Sequence, residues 1–164
     1  MLSRLFPKAF DNAYRGHWLA IWILVPIVLL KLIMASTAAG LNPWVTTRFV
    51  IQNADGIPID TFGAEAASVV VFLFASWGLG LLTLSLLGVI VLLRYRAMTP
   101  LMCLLLTIEQ VGRKLIAYFS PIIRPTETDG VSFGALINWG LSAGLVIALI
   151  LSLQDSRHPS KQHP

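Results

Sequence analysis

Four ionisable side chains lie inside long apolar segments of this chain. Glu109, Arg113 and Lys114 fall within the third such segment, and Lys31 falls within the first. Glu109 and Arg113 are four residues apart, so on a helix they share one face and can form an ion pair. Buried acids and amines change their pKa readily, so the four residues could handle protons or hold an anion. They could equally form a neutralised structural network, and the sequence leaves both interpretations open.

The composition places these residues in a membrane protein. Of 164 residues, 56% are hydrophobic and 12% are charged, and the mean hydropathy is +0.77. Globular domains carry about 25% charged residues, so half that share is typical of a chain that lies in lipid. A helix of about 20 apolar residues crosses a bilayer core of about 30 Å. Four segments are long enough, which predicts an all-α integral membrane four-helix bundle with spans at residues 17–36, 66–93, 100–119 and 133–153.

These four segments form one predicted domain, residues 1–153, followed by a polar tail, residues 154–164, that we expect to be disordered. The longest polar connection, residues 37–65, joins the first and second spans. Within it, two apolar and β-branched runs flank Asp55-Gly56, a turn signal. A hairpin-like lid and an irregular loop are both compatible with this pattern.

The basic residues predict the orientation in the membrane. Cytoplasmic loops of multi-pass proteins carry an excess of lysine and arginine. With the amino terminus in the cytoplasm, seven basic residues fall inside and two outside: Arg4, Lys8, Arg15, Arg94, Arg96, Arg157 and Lys161 against Arg48 and Arg124. Both termini are therefore predicted to be cytoplasmic, and the connection at residues 37–65 extracytoplasmic.

The first span also has features of a cleavable signal peptide. A basic leader precedes an apolar run at residues 18–30, and Ser36-Thr37-Ala38 resembles a cleavage site. However, the leader is long, and the apolar run continues through residues 32–34 beyond Lys31. We therefore predict a retained span, with cleavage as the alternative.

Small residues recur on two of the predicted spans. Gly140, Gly144 and Ala148 follow one another at intervals of four, and Ser76 and Gly80 repeat the interval in the second span. Small side chains let membrane helices approach closely. We expect these positions to pack within the chain, with a dimer face as the alternative.

Several chemistries are excluded by composition. Cys103 is the single cysteine, which rules out an intrachain disulfide and a multi-cysteine metal site. Only His17 among three histidines approaches a span, so one chain cannot supply two axial haem ligands; a pigment ligand is the alternative to an ordinary interfacial histidine. No nucleotide-binding loop, nucleophile elbow or zinc-protease motif is present. We predict no catalytic residue, metal or cofactor, and no nucleic-acid partner, because the basic residues flank spans instead of forming one patch.

Four stretches together resemble small, uncharacterised four-span bacterial membrane proteins. They are FDNAYRGH at residues 10–17, DGIPIDTF at 55–62, RYR at 94–96 and EQVGRK at 109–114. The resemblance implies a place in the bacterial inner membrane. It implies no activity, cofactor or catalytic residue.

Two functions of different classes follow from these observations. The first is a noncatalytic small subunit or scaffold whose partners are the lipid bilayer and either a larger membrane complex or further copies of itself. The alternative is a small transporter, or a membrane enzyme that handles a lipid or amphiphile, built on Lys31, Glu109, Arg113 and Lys114. The two differ in whether these side chains line a polar cavity or close on one another.

Overall fold

A computed structural model describes residues 5–7, 11–121 and 133–154, and in this part of the chain the regular structure is entirely helical. The α-helices are α1 (Leu19–Ala38), α2 (Thr47–Asn53), α3 (Ala64–Arg94), α4 (Thr99–Phe119) and α5 (Phe133–Leu153), with short 3-10 helices at Ile59–Thr61 and Arg96–Met98. The predicted all-α class is confirmed. The predicted disordered tail, apart from its first residue, lies outside the described residues.

Three of these helices are long and apolar enough to cross a membrane. They are Leu19–Ala38, Ala64–Arg94 and the stretch Leu136–Leu153 of α5. The remaining long helix, α4, has 21 residues but carries three charged side chains. The chain is thus compatible with a multi-pass membrane protein, whereas a fourth span through α4 stays a prediction.

One buried apolar cluster draws on all four long helices. α1 lies against both α3 and α5, and α4 lies against α5. Leu24 of α1, Leu106 of α4 and Leu145 of α5 are fully buried in this cluster. Val91 of α3 is buried beside them, with 6% of its surface exposed. Complete burial of these branched side chains gives each helix an apolar face that contacts its neighbours.

The register of α1 and α3 depends on two glycines. A Cβ at Gly78 would lie 2.6 Å from the backbone nitrogen of Ala39, which no side chain could tolerate, and a Cβ at Gly88 would lie 3.0 Å from Val28. The end of α1 therefore lies beside Gly78. The preceding residues of α3, from Ala64 onward, extend past α1 by about 20 Å at helical rise.

The connection between α1 and α3 contains α2 and a 3-10 helix, so neither the hairpin-like lid nor the irregular loop describes it. The Thr46 hydroxyl oxygen accepts a hydrogen bond from the Phe49 amide at 3.2 Å and so caps α2. Ile51 and Ile59 are fully buried against Ala67 of α3. The Thr46 cap and the apolar contacts with α3 stabilise this short helix, whereas an isolated two-stranded hairpin is only marginally stable.

The residues that precede α1 form hydrogen bonds at the end of the bundle opposite α2, where α5 ends and α4 begins. The His17 amide donates to the Leu151 carbonyl at 3.1 Å, and the Ala97 amide donates to the Asp11 carbonyl at 3.3 Å. These bonds join the chain before α1 to the end of α5 and to the turn before α4. Pro100 lies in the first turn of α4, where its missing backbone N–H breaks no intrahelical hydrogen bond.

Thr99, by contrast, does not cap α4. It is the first helical residue, and its hydroxyl has no hydrogen-bond partner among the described residues. Thr99 therefore does not act as an N-cap, because a cap must stand outside the helix with an extended backbone.

Candidate functional site

Lys31 is the most deeply buried charged side chain of the described residues, at 3% exposure. Its Nζ donates to Glu109 Oε2 at 2.5 Å and to Gln110 Oε1 at 2.7 Å. α1 packs mainly against α3 and α5, so the long lysine side chain supplies the polar link to α4. The ion pair is well shielded, because only 17% of the Glu109 side chain is exposed.

Asn138 of α5 extends this link to a third helix. The Gln110 side-chain amide donates to Asn138 Oδ1 at 3.2 Å, and an Arg113 guanidinium nitrogen donates to the same oxygen at 3.3 Å. The predicted pair between Glu109 and Arg113 is present, with Nε 3.6 Å from Oε1. We call these linked residues, together with Lys114, the polar network: Lys31, Glu109, Gln110, Arg113, Lys114 and Asn138.

Two tryptophans cover the cations of α4. The Arg113 guanidinium lies 4.7 Å from the ring centroid of Trp77, on α3, and the Lys114 ammonium lies 3.3 Å from that of Trp139, on α5. Aromatic faces attract cations, and the attraction is larger where water is excluded. With these contacts the polar network reaches all four long helices.

The polar network carries more positive than negative charge. Its three cations, Lys31, Arg113 and Lys114, outnumber its one carboxylate, that of Glu109, which contacts Lys31 and Arg113. In the described part of the chain, buried atoms without a hydrogen-bond partner include Glu109 Oε1, Arg113 Nε and Lys114 Nζ. The first two face each other across the 3.6 Å ion pair, whereas the ammonium has only the Trp139 ring. The excess charge therefore resides at the end of the network formed by Arg113 and Lys114.

The polar network includes residues that sequence reasoning did not select as site residues. Gln110 is 1% exposed and forms hydrogen bonds to two other helices. Asn138 had a usable signal, because it is the one carboxamide in the apolar segment 133–153. Trp77 and Trp139 had none, since a cation–π contact depends on how helices distant in sequence pack.

The small residues selected from the sequence divide into two groups. Ala148 is fully buried, and a Cβ at Gly144 would lie 3.1 Å from Ile27, so both face α1. Gly80 and Gly140 have no heavy atom of another element within 4 Å of a built Cβ. Ser76 is exposed, and its hydroxyl donates to the Phe72 carbonyl within α3. Two of the five positions thus pack within the chain, and three lie on its outer surface.

A separate concave surface lies between the connection and the start of α3. It encloses about 590 Å³ and is lined by Arg48, Phe62, Ala64, Ala67, Ser68, Val71 and Phe72. Its one charged side chain, Arg48, is paired with Asp60 at 2.8 Å. Its one hydroxyl, that of Ser68, donates to the Glu65 carbonyl, and no general base is among the lining residues.

No cluster of three histidine, cysteine or acidic residues that could hold a metal occurs in the described ranges. Comparisons of the chain with protein-family models, with curated proteins and with solved structures found no match. The polar network and its four helices are therefore the features of the molecule that bear on its function.

Proposed function

We propose that this protein is a noncatalytic subunit or scaffold of the bacterial inner membrane, built as a four-span bundle with both termini in the cytoplasm. The observation that carries the proposal is the double contact of Lys31 with Glu109 and Gln110. These side chains close on one another at hydrogen-bond distance. A transport path or an active site would instead require them to face a substrate.

The polar network supports α4 as the fourth span. Glu109 lies ten residues from each end of α4, so it would lie about 15 Å from either end of the span. An ionised side chain at that depth has to face protein or water. Glu109 meets this condition, because it faces Lys31 and Arg113.

The packing of α1 supports its retention as a permanent span. Leu24 and Val28 are fully buried in the shared cluster, and the end of α1 lies against Gly78. Removal of α1 would also leave Glu109 without its nearest cation. A cleaved leader would have no need of these contacts.

The outer small residues support a membrane-protein partner. Gly80 and Gly140 present backbone without side-chain bulk at the surface of α3 and α5. Helices of a larger complex or of a second copy could approach there closely, as small residues permit. This is the scaffold role in physical terms: a fixed internal network with outer faces for assembly.

Cysteine labelling tests the topology. In a Cys103→Ser background, single cysteines replace Asn12, Asn53 and Gln154, and a membrane-impermeant maleimide is added to intact cells. We expect labelling at position 53 only, with the other two labelled after permeabilisation. Labelling of position 154 but not position 12 in intact cells would show three spans and overturn the four-span proposal.

Native mass spectrometry in mild detergent tests the scaffold role. The protein should copurify with a partner or with itself, and Gly140→Leu should weaken that association without unfolding the chain. Gly112→Leu on α4 is the matched control, because a Cβ at Gly112 also meets nothing within 4 Å. A monomeric species without any partner would contradict the proposal.

A further inference from the structure

We infer that Arg113 and Lys114 form a binding site for the phosphate group of an anionic phospholipid in the extracytoplasmic leaflet. The site lies where Arg113 and Lys114 of α4 contact Asn138 and Trp139 of α5. The inference depends on α4 crossing the membrane, and it is independent of the scaffold role.

The two cations lie side by side because consecutive residues of α4 meet consecutive residues of α5. Arg113 donates to Asn138 Oδ1 at 3.3 Å, and the Lys114 ammonium lies over the Trp139 ring. Trp77 of α3 lies 4.7 Å from the Arg113 guanidinium. The two rings therefore flank the cations with surfaces that are apolar yet compatible with positive charge.

Both cations have donors left for a ligand. Glu109 Oε2 lies 2.5 Å from Lys31 Nζ, whereas Glu109 Oε1 lies 3.6 Å from Arg113 Nε, which is beyond hydrogen-bond distance. Lys114 Nζ donates no hydrogen bond to the described residues. An arginine has five N–H donors and a lysine three; the Lys114 ammonium is buried over the Trp139 ring and reaches a ligand when its flexible side chain extends away from that ring. Arg113 is also accessible, with 35% of its side chain exposed.

The depth of the site selects a lipid over a soluble anion. Lys114 lies five residues before the end of α4, which is about 7.5 Å at helical rise. Long basic side chains near a helix end extend toward the headgroup layer, and tryptophans are enriched at that level. A lipid phosphate already occupies this layer. A soluble phosphate would have to lose its hydration to enter it.

The chemistry of the donors selects phosphate. Guanidinium groups bind phosphate oxygens through two parallel hydrogen bonds, and a lysine adds a point charge beside them. Basic pockets between membrane helices bind lipid headgroups on the cytoplasmic side of membranes, and the same donor chemistry applies to phosphate in the other leaflet. The single acid of the polar network, Glu109, lies closer to Lys31 than to Arg113. A net positive charge therefore remains at Arg113 and Lys114.

Lipid competition in mixed micelles tests the inference on the full-length protein. Equal amounts of phosphatidylglycerol and phosphatidylcholine are added, and the lipids retained are measured by native mass spectrometry. We expect a preference for phosphatidylglycerol that Lys114→Gln lowers about tenfold, since one charge-assisted hydrogen bond is lost. Lys114→Arg should keep the preference. Lys114 is the main variant because its loss leaves the contacts of Lys31 intact.

Arg48→Gln is the matched control, since it removes one exposed cation elsewhere and should leave the preference unchanged. An equal preference in Lys114→Gln and the unsubstituted protein, with both folded, would overturn the inference. Displacement of the lipid by millimolar inorganic phosphate would overturn the lipid assignment and point to a soluble phosphate source. Oligomeric state, measured in the same spectra, should not change in Lys114→Gln, so failure here is distinct from failure of the scaffold proposal.

Discussion

Replacement of Glu109 by Gln tests the polar network most directly. The substitution preserves volume and removes the one negative charge that faces Lys31 and Arg113. Lys31 is 3% exposed, so water cannot replace the lost carboxylate. We expect a folded but less stable protein.

The expected loss is about 3 kcal/mol, because breaking a buried ion pair from one side costs about 3–5 kcal/mol. We take the lower end, since the Glu109 side chain is 17% exposed and the Gln110 oxygen remains 2.7 Å from Lys31. Lys31→Met should cost less, about 2 kcal/mol, because a buried acceptor left unsatisfied costs about 1–3 kcal/mol. Glu109 then still has Arg113 within 3.6 Å.

The double variant, Lys31→Met with Glu109→Gln, measures the interaction between the two side chains separately from the contacts each makes with other residues. If the two changes were independent, their sum would be about 5 kcal/mol. We expect about 3 kcal/mol, which is a coupling of about 2 kcal/mol, because no uncompensated charge of the pair remains in the double variant.

The assay is reversible unfolding of each variant by titration of a denaturing detergent into mixed micelles. Tryptophan fluorescence reports the transition, since Trp77 and Trp139 lie against the polar network. Glu65→Gln is the matched control, because it removes a carboxylate that is exposed in the first turn of α3. It should change the unfolding free energy little.

A refuting result is well defined. Additivity of the two single changes to within about 0.5 kcal/mol would show that Lys31 and Glu109 do not interact energetically. Full stability of Glu109→Gln would also mean that Glu109 faces water in the membrane-bound protein. Either result removes the observation on which the proposed function depends.

Four further substitutions test the packing. Gly78→Ala should destabilise the protein by about 1–3 kcal/mol through overpacking against the end of α1, while Gly80→Ala, two residues on, should be neutral or stabilise by up to about 1 kcal/mol; thermal denaturation in detergent measures both. Ile51→Ala should cost about 2–5 kcal/mol of local stability and speed hydrogen exchange at residues 47–61; unchanged exchange there would contradict the packing of α2. Gln110→Leu should lower the unfolding free energy by about 1–3 kcal/mol, because Lys31 loses an acceptor and α5 a donor; an unchanged detergent-unfolding midpoint would oppose this.

The helices were predictable because each is encoded locally. Long apolar runs ended by glycine, proline or charged residues predict α1, α3, α4 and α5, and the observed ends lie within two residues of the predicted segments. The connection at residues 37–65 was harder. Its β-branched residues favour strands, but Thr46 caps a helix and α3 supplies an apolar surface for Ile51. Tertiary packing overrode the local preference.

The candidate site was only half predictable. Charged residues are rare in apolar segments of membrane length, so the sequence identifies Lys31, Glu109, Arg113 and Lys114 as candidate site residues. Which acid faces which base depends on helix rotation and register, and close-packed glycines such as Gly78 set these. The sequence favoured Arg113 as the partner of Glu109 by spacing, yet the shorter contact is made by Lys31, 78 residues away.

The excess of cations is the feature that structural pairing alone does not explain. Apolar packing gives membrane helices little drive to choose one register, because lipid is as apolar as the helix surface. A single buried pair such as Lys31 and Glu109 is enough to specify that register. Arg113 and Lys114 add two charges at an energetic cost and lie toward the end of α4. The lipid phosphate inferred above would offset these two charges, because the headgroup layer at that depth contains a negative charge in every anionic lipid.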